Sequence, residues 1–188
     1  MTVTSKTWIR GVAVAALAAT ALSGCVANRT FGGGFDDTTA DMSMRTNLLR
    51  DGQYDYTDID ISVYEGRMLL TGTMRSEQGK AHVQQLAERQ ANVTAVSNEI
   101  VVGPKTGIQQ AAKDTLIGQQ IGAALLTDAG VIRGNYVVSV SQGVVHLLGI
   151  AQGPTELGIV TEHARRTDGV TRVVSHVLYV GDPARVTR

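Results

Sequence analysis

The sequence holds one cysteine, Cys25, so an intramolecular disulfide is impossible, and no neighbouring residue is placed to activate it as a nucleophile. It has no excess of basic charge. Its 17 Lys and Arg are matched by 17 Asp and Glu, which is not the profile of a protein that neutralises a nucleic-acid backbone. It lacks an apolar run of the about 20 residues that a spanning helix requires; residues 11–22 (GVAVAALAATAL) supply only twelve. A Ser/His/Asp order, a zinc-protease helix and a phosphate loop are missing too. Gly32, Gly33 and Gly34 lack the following strand, helix and lysine of a nucleotide site. The acids are dispersed, with no pair placed for hydrolysis. The expectation is a protein that is not an enzyme and uses no cofactor. What is present is a globular composition, 43% hydrophobic and 18% charged.

The short apolar run has a context. Residues 1–10 carry Lys6 and Arg10 and no acid, and a basic-then-apolar order reads as a secretory signal. Leu22, Ser23, Gly24 and Cys25 follow, a pattern that resembles the lipobox of bacterial lipoproteins. Residues 1–24 are therefore expected to be a signal peptide, with cleavage before Cys25 and acylation of it. Several acyl chains give durable anchoring where one does not. Val26 is not the aspartate that retains enterobacterial lipoproteins at the inner membrane, so the expected location is the outer membrane, lipid-anchored and facing the periplasm. Without residues 1–24 the net charge is −2. Residues 25–40, rich in glycine, read as a lipidated flexible tether of root-mean-square span roughly 20 Å.

Beyond the tether the chain repeats itself at an offset of 77. DIDISVYEGRMLLTG (58–72) lies over NYVVSVSQGVVHLLG (135–149), placing Gly66 on Gly143 and Gly72 on Gly149. Between residues 59 and 102 no gap is needed, and 11 of 44 pairs are identical. Matched glycines at matched periods indicate two domains of one fold.

Each unit reads as helix–strand–strand–helix–strand. Met44 and Leu48, matched by Ile121 and Leu125, have the four-residue spacing of one buried helix face. Asp114 is the expected N-cap of the second of these helices. Alternation at Ile59, Ile61 and Val63, and at Tyr136, Val138 and Val140, predicts strands. Glu65-Gly66 and Gln142-Gly143 read as hairpin turns; Gly66, Gly72, Gly143 and Gly149 are assigned as structural turn positions. Second helices bury Val83, Leu86 and Ala87, or Val160, His163 and Ala164, before a last strand. The fold class is α+β: two tandem domains, 41–102 and 113–181, each a three-stranded sheet packed against two helices. Residues 103–112 are the expected linker and 182–188 a C-terminal tail.

The two occurrences VYEGRMLLTG…NVTAVSNEIVV and VSQGVVHLLG…GVTRVVSHVLYV resemble the BON domain, the bacterial OsmY and nodulation domain. Two such units behind a lipobox resemble the dual-BON outer-membrane lipoproteins. The resemblance implies a non-enzymatic protein that preserves envelope integrity, binds anionic phospholipid through the first helix of its second domain, and is linked to the outer-membrane protein assembly machinery and to division sites. That family helix carries a tryptophan near its start; here the matching position is Leu116.

The residues themselves support this assignment modestly. Residues 41–102 carry net charge −3 and residues 113–181 net zero, so an anionic surface repels the first domain more. On the helix, Leu116, Gln120 and Ala123 lie off the core stripe and are the candidate lipid-contact patch, with Lys113 and Arg133 as candidate phosphate contacts. Among the four histidines, His146 and His176 fall on the outward face of their strands, giving at most two ligands without a thiolate or an identified carboxylate; no metal site is expected. The rival reading is a protein-binding scaffold that uses exposed sheet faces or domain edges.

Overall fold

In the computed structural model, which describes residues 31–185, alternating apolar residues build two hairpins on which everything else is hung. β1 (Ile59–Tyr64) pairs antiparallel with β2 (Arg67–Met74) through Glu65-Gly66, and β5 (Tyr136–Ser141) with β6 (Val144–Ala151) through Gln142-Gly143. Both central residues of each turn have positive φ, 50° and 72° in one and 52° and 75° in the other, the geometry a two-residue reversal needs. The signal segment, Cys25 and the tether up to residue 30 lie outside the described residues, as do 186–188.

In the first unit α1 (Phe31–Asp51) precedes the hairpin. α2 (Glu77–Glu88), β3 (Ala95–Asn98) and β4 (Val101–Val102) follow it, β3 and β4 both running parallel to β2. The second unit has α3 (Ile108–Thr127), a 3-10 turn (Arg133–Asn135), the hairpin, α4 (Pro154–Arg166) and β7 (Arg172–Tyr179) parallel to β6. Each sheet is mixed, with the second hairpin strand in the centre and both helices on one face. Met44, Leu70 and Val83 centre one core; Ile121, Leu147 and Val160 centre the other. This is the helix–strand–strand–helix–strand order expected from the sequence.

Three details differ from the sequence reading. First, α1 includes residues 31–40, assigned above to the tether. The reason is Asp37, which is buried and accepts hydrogen bonds from the amides of Glu65 and Gly66, both at 2.7 Å. Second, α3 starts at Ile108, inside the expected linker, so Asp114 is not an N-cap. It lies within the helix, one repeat from Asp37, and accepts from the amides of Gln142 and Gly143 at 2.8 and 2.9 Å. Each first helix thus holds its own hairpin turn through one buried carboxylate. Third, Gly72 and Gly149 are not turn residues. They sit inside β2 and β6 at φ +106° and +152°, where a Cβ would come 1.9 Å from the Asp58 carbonyl oxygen and 2.0 Å from that of Asn135.

The sheet faces opposite the helices are not open. Tyr64 and Leu69 of the first domain pack against Leu148 and Ile150 of the second, all four essentially inaccessible. Around this apolar patch Thr71 and Ser139 hydroxyls meet at 2.9 Å, and the Arg67 guanidinium donates to the His176 carbonyl at 2.5 Å. Arg185, within the expected tail, forms a two-pronged ion pair with Glu65, both bonds 2.8 Å. The two marginal cores are therefore joined by a third.

Candidate functional site

α3 uses Ile117, Ile121 and Leu125 to cover the second sheet. Asp114 is buried on the same face, and Gly118, Gly122 and Ala124 beside it are half-buried. On the opposite side Leu116 is 56% exposed, with Lys113, Gln120 and Ala123 beside it. The earlier helix start adds Ile108, 90% exposed; Leu126, 73% exposed, lies at the other end, inside the expected helix but not counted in the patch. At 100° per residue Ile108, Leu116, Ala123 and Leu126 fall within an arc of about 80°, along about 27 Å of helix. The signal available in the sequence was the apolar residue at 108, which an assumed linker removed from the helical count.

The charge of this strip is also defined. Between Ile108 and Thr127 the only ionisable residues are Lys113 and Asp114. Asp114 is buried against the hairpin amides and further bonded by Gln110 at 2.9 Å, so the exposed surface of α3 carries one charge, positive. α1, its equivalent, carries Asp36, Asp41 and Asp51 as well as Arg45 and Arg50.

Arg133 does not join this group. It is half-buried, donates from Nη1 to the Tyr136 carbonyl at 2.6 Å, and packs beside Gly122, where a Cβ would lie 3.6 Å from its Nη2. Gly122 is about 120° round the helix from Leu116. Arg133 lines a separate groove of about 580 Å³ between α3 and β1, with Asp58 and Asp60 across it.

The far end of α3 is pinned to α4 by Asp128, whose carboxylate receives the His163 ring at 2.8 Å and the Gly130 amide at 2.8 Å. These bonds, His163 first, hold Asp128 below its ordinary pKa. Asp51 is set in the same way at the end of α1, by the Tyr56 hydroxyl and the His82 ring.

His146 and His176 do neighbour each other, but inside the domain interface rather than on an open face. Their rings stack at 6.1 Å, and His146 is only 3% exposed. Burial drives the His146 pKa down to about 4 and lowers that of His176 as well. Glu99, from the bend between β3 and β4, lies beside them: its Oε1 is 3.2 Å from His176 Nε2. The sequence reading had no carboxylate here because the partner comes from the other domain. Among the described residues no helix is long and apolar enough to cross a membrane.

Comparison with known proteins decides the kind of these two like domains. The BON domain model matches residues 36–104 and again 113–181. The chain belongs to the BON domain family. The two matches coincide with the two structural repeats, and BON domains supply a scaffold to which this sequence adds no catalytic motif. Over 143 residues the chain is 35% identical to an "uncharacterized protein in gshII 5′ region" of Anaplasma centrale, covering 76% of this chain and 93% of that one. It is 29% identical to a 21 kDa hemolysin of Actinobacillus pleuropneumoniae, over 81% of this chain and 78% of the relative. It is 27% identical to the outer membrane lipoprotein DolP of Haemophilus influenzae, over 92% of this chain and 91% of DolP. The chain is thus a dual-BON protein distantly related to DolP-type outer-membrane lipoproteins.

Proposed function

We propose that this dual-BON chain is an outer-membrane lipoprotein, acylated at Cys25 and facing the periplasm, that maintains the envelope by binding anionic phospholipid through α3. The observation that carries the reading is the exposed surface of that helix: four apolar side chains in one strip, one lysine and no acid. Apolar area inserts to the headgroup boundary, and a lysine near the surface gains about 1 kcal/mol from an anionic leaflet. Leucine at 116 supplies area without the interfacial preference of tryptophan. The strip's two outer members, Ile108 and Leu126, provide area in its place. The relationship to DolP across nearly its whole length supports the address.

Flotation of residues 26–188, which lack the acyl chains, with vesicles tests the reading. Binding to anionic vesicles and not to neutral ones is expected, and Leu116→Glu should weaken it. Equal binding to both, or none to either, would remove phospholipid from the account.

A second reading has its own observation. α1 exposes Phe35, Met42 and Leu49 at seven-residue spacing. That stripe suits a protein partner such as an outer-membrane assembly or division factor. Crosslinking from Met42 in intact cells separates the readings: protein adducts favour the scaffold and lipid adducts a broader membrane contact.

A further inference from the structure

The Glu99, His146 and His176 cluster serves no role in the membrane reading. One donor atom from each lies within 4.8 Å of the other two. His176 Nε2 and Glu99 Oε1 are 3.2 Å apart without the alignment of a hydrogen bond, and Nδ1 of the buried His146 ring has no hydrogen-bond partner. An uncompensated ring nitrogen in an interface is costly unless something else meets it. A zinc ion bound at 2.0–2.1 Å in tetrahedral geometry would separate its ligands by roughly 3.3 Å, so the His176–Glu99 pair already has the required spacing. A groove of about 360 Å³, lined by Glu99, His146, Ser141 and Arg172, leads to the cluster and leaves room for a water as a further ligand.

The placement is specific to the fold. Glu99 and His176 are equivalent positions, 77 apart, and meet across the interface of the two repeats. In the first repeat the last strand is interrupted at Glu99 and Ile100, between β3 and β4, where the second repeat runs unbroken as β7. His146 stands where the first repeat has Leu69, so a ring nitrogen replaces a methyl group in the same layer.

We propose that Glu99, His146 and His176 form an interdomain site for a divalent transition-metal ion, zinc in particular, that fastens the two BON domains together. Imidazole nitrogen with one carboxylate suits zinc, nickel and copper rather than magnesium or calcium, which require oxygen sets. Arg67 acts on His176 and Arg172 on His146, Lys80 lines the groove with Arg172, and Asp182 and Glu65 offset Arg67. Three protein ligands beside two arginines bind less tightly than four-ligand structural sites, so the dissociation constant is expected on the order of micromolar.

The test uses the untagged full chain with Cys25→Ser, which removes the one thiolate, stripped with chelator and titrated with Zn²⁺. One equivalent should bind and raise the melting temperature, with chelator reversing the rise. Co²⁺ should give the visible bands of a four- or five-coordinate site. Glu99→Gln, at a partly exposed position that leaves the core intact, should weaken Zn²⁺ at least about 10-fold, the lower range for loss of even an outer-sphere partner. His176→Gln should abolish binding. His82→Gln, remote from the cluster, should leave it unchanged. No binding below millimolar Zn²⁺, or affinity unchanged by Glu99→Gln, would overturn the proposal.

Discussion

Replacing Asp114 tests the link between α3 and its hairpin. Its two oxygens accept from the amides of Gln142 and Gly143 at 2.8 and 2.9 Å, in a turn whose two residues both have positive φ. A hydrogen bond to a charged group contributes about 1.5–3 kcal/mol net, and a buried amide left without a partner costs about 1–3 kcal/mol. Asp114→Ala removes both bonds at once and should destabilise by about 3–5 kcal/mol. For a chain of this size each kcal/mol shifts the melting temperature by about 2–4 °C, so the fall should be on the order of 10 °C. Asp114→Asn keeps one acceptor and turns an amide donor against the other N–H, giving about 2–3 kcal/mol. Urea unfolding measures the totals. Amide hydrogen exchange gives the local result: Gln142 and Gly143 should be protected in the wild type and exchange fast in the variant. A loss below about 0.5 kcal/mol with unchanged protection would refute the clamp, because the turn would then hold itself.

Leu148→Ala in the interdomain layer should cost about 2–5 kcal/mol in urea unfolding, as for other large-to-small changes in a closed core; a cost near zero would mean the two sheets do not pack as described. Gly149→Ala forces a Cβ to 2.0 Å from the Asn135 carbonyl oxygen at φ +152°, so it should be among the most damaging single changes, read by loss of the folded circular-dichroism signal; a near-native spectrum and melting curve would contradict the close approach. Asp128 should titrate below its ordinary 3.8 because the His163 ring and the Gly130 amide bond to it. A carboxyl depressed on folding contributes stability that is complete above pH 3.8 and disappears as the pH falls through the folded value. NMR titration of the carboxyl should show its midpoint rise in His163→Ala, and an unmoved midpoint would contradict the pairing.

The repeat made most of the fold legible. Gly66 over Gly143 and Gly72 over Gly149 locate both hairpins, and Met44, Leu48, Ile121 and Leu125 locate the first helices from sequence alone. The same offset, run backward from Asp114, reaches Asp37 and would have extended α1 into the presumed tether. Three adjacent glycines argued against that, since each costs up to about 1 kcal/mol in a helix. The Asp37 clamp and the burial of Ala40, Met44 and Leu48 outweigh them. The closed sheet faces had a trace as well. VVHLLGIA is apolar at odd and even positions alike, and MLL at 68–70 is too, the mark of strands covered on both sides, whereas reading strict alternation left the outer face open. The carboxylate partner of His146 and His176 was out of reach of sequence, because it depends on how one domain docks on the other. Of the candidate contact residues, Lys113, Leu116, Gln120 and Ala123 share one exposed side of α3, and Arg133 was separated by its bond to the Tyr136 carbonyl.

The central claim is that an apolar strip of α3, with one lysine and no exposed acid beside it, meets anionic lipid. Residue-resolved amide shifts of residues 26–188 on addition of anionic and then neutral nanodiscs test it most directly. Perturbations should cluster at Ile108, Leu116, Ala123 and Leu126 with the anionic discs alone. Shifts confined to α1, or equal for both lipid compositions, would contradict it.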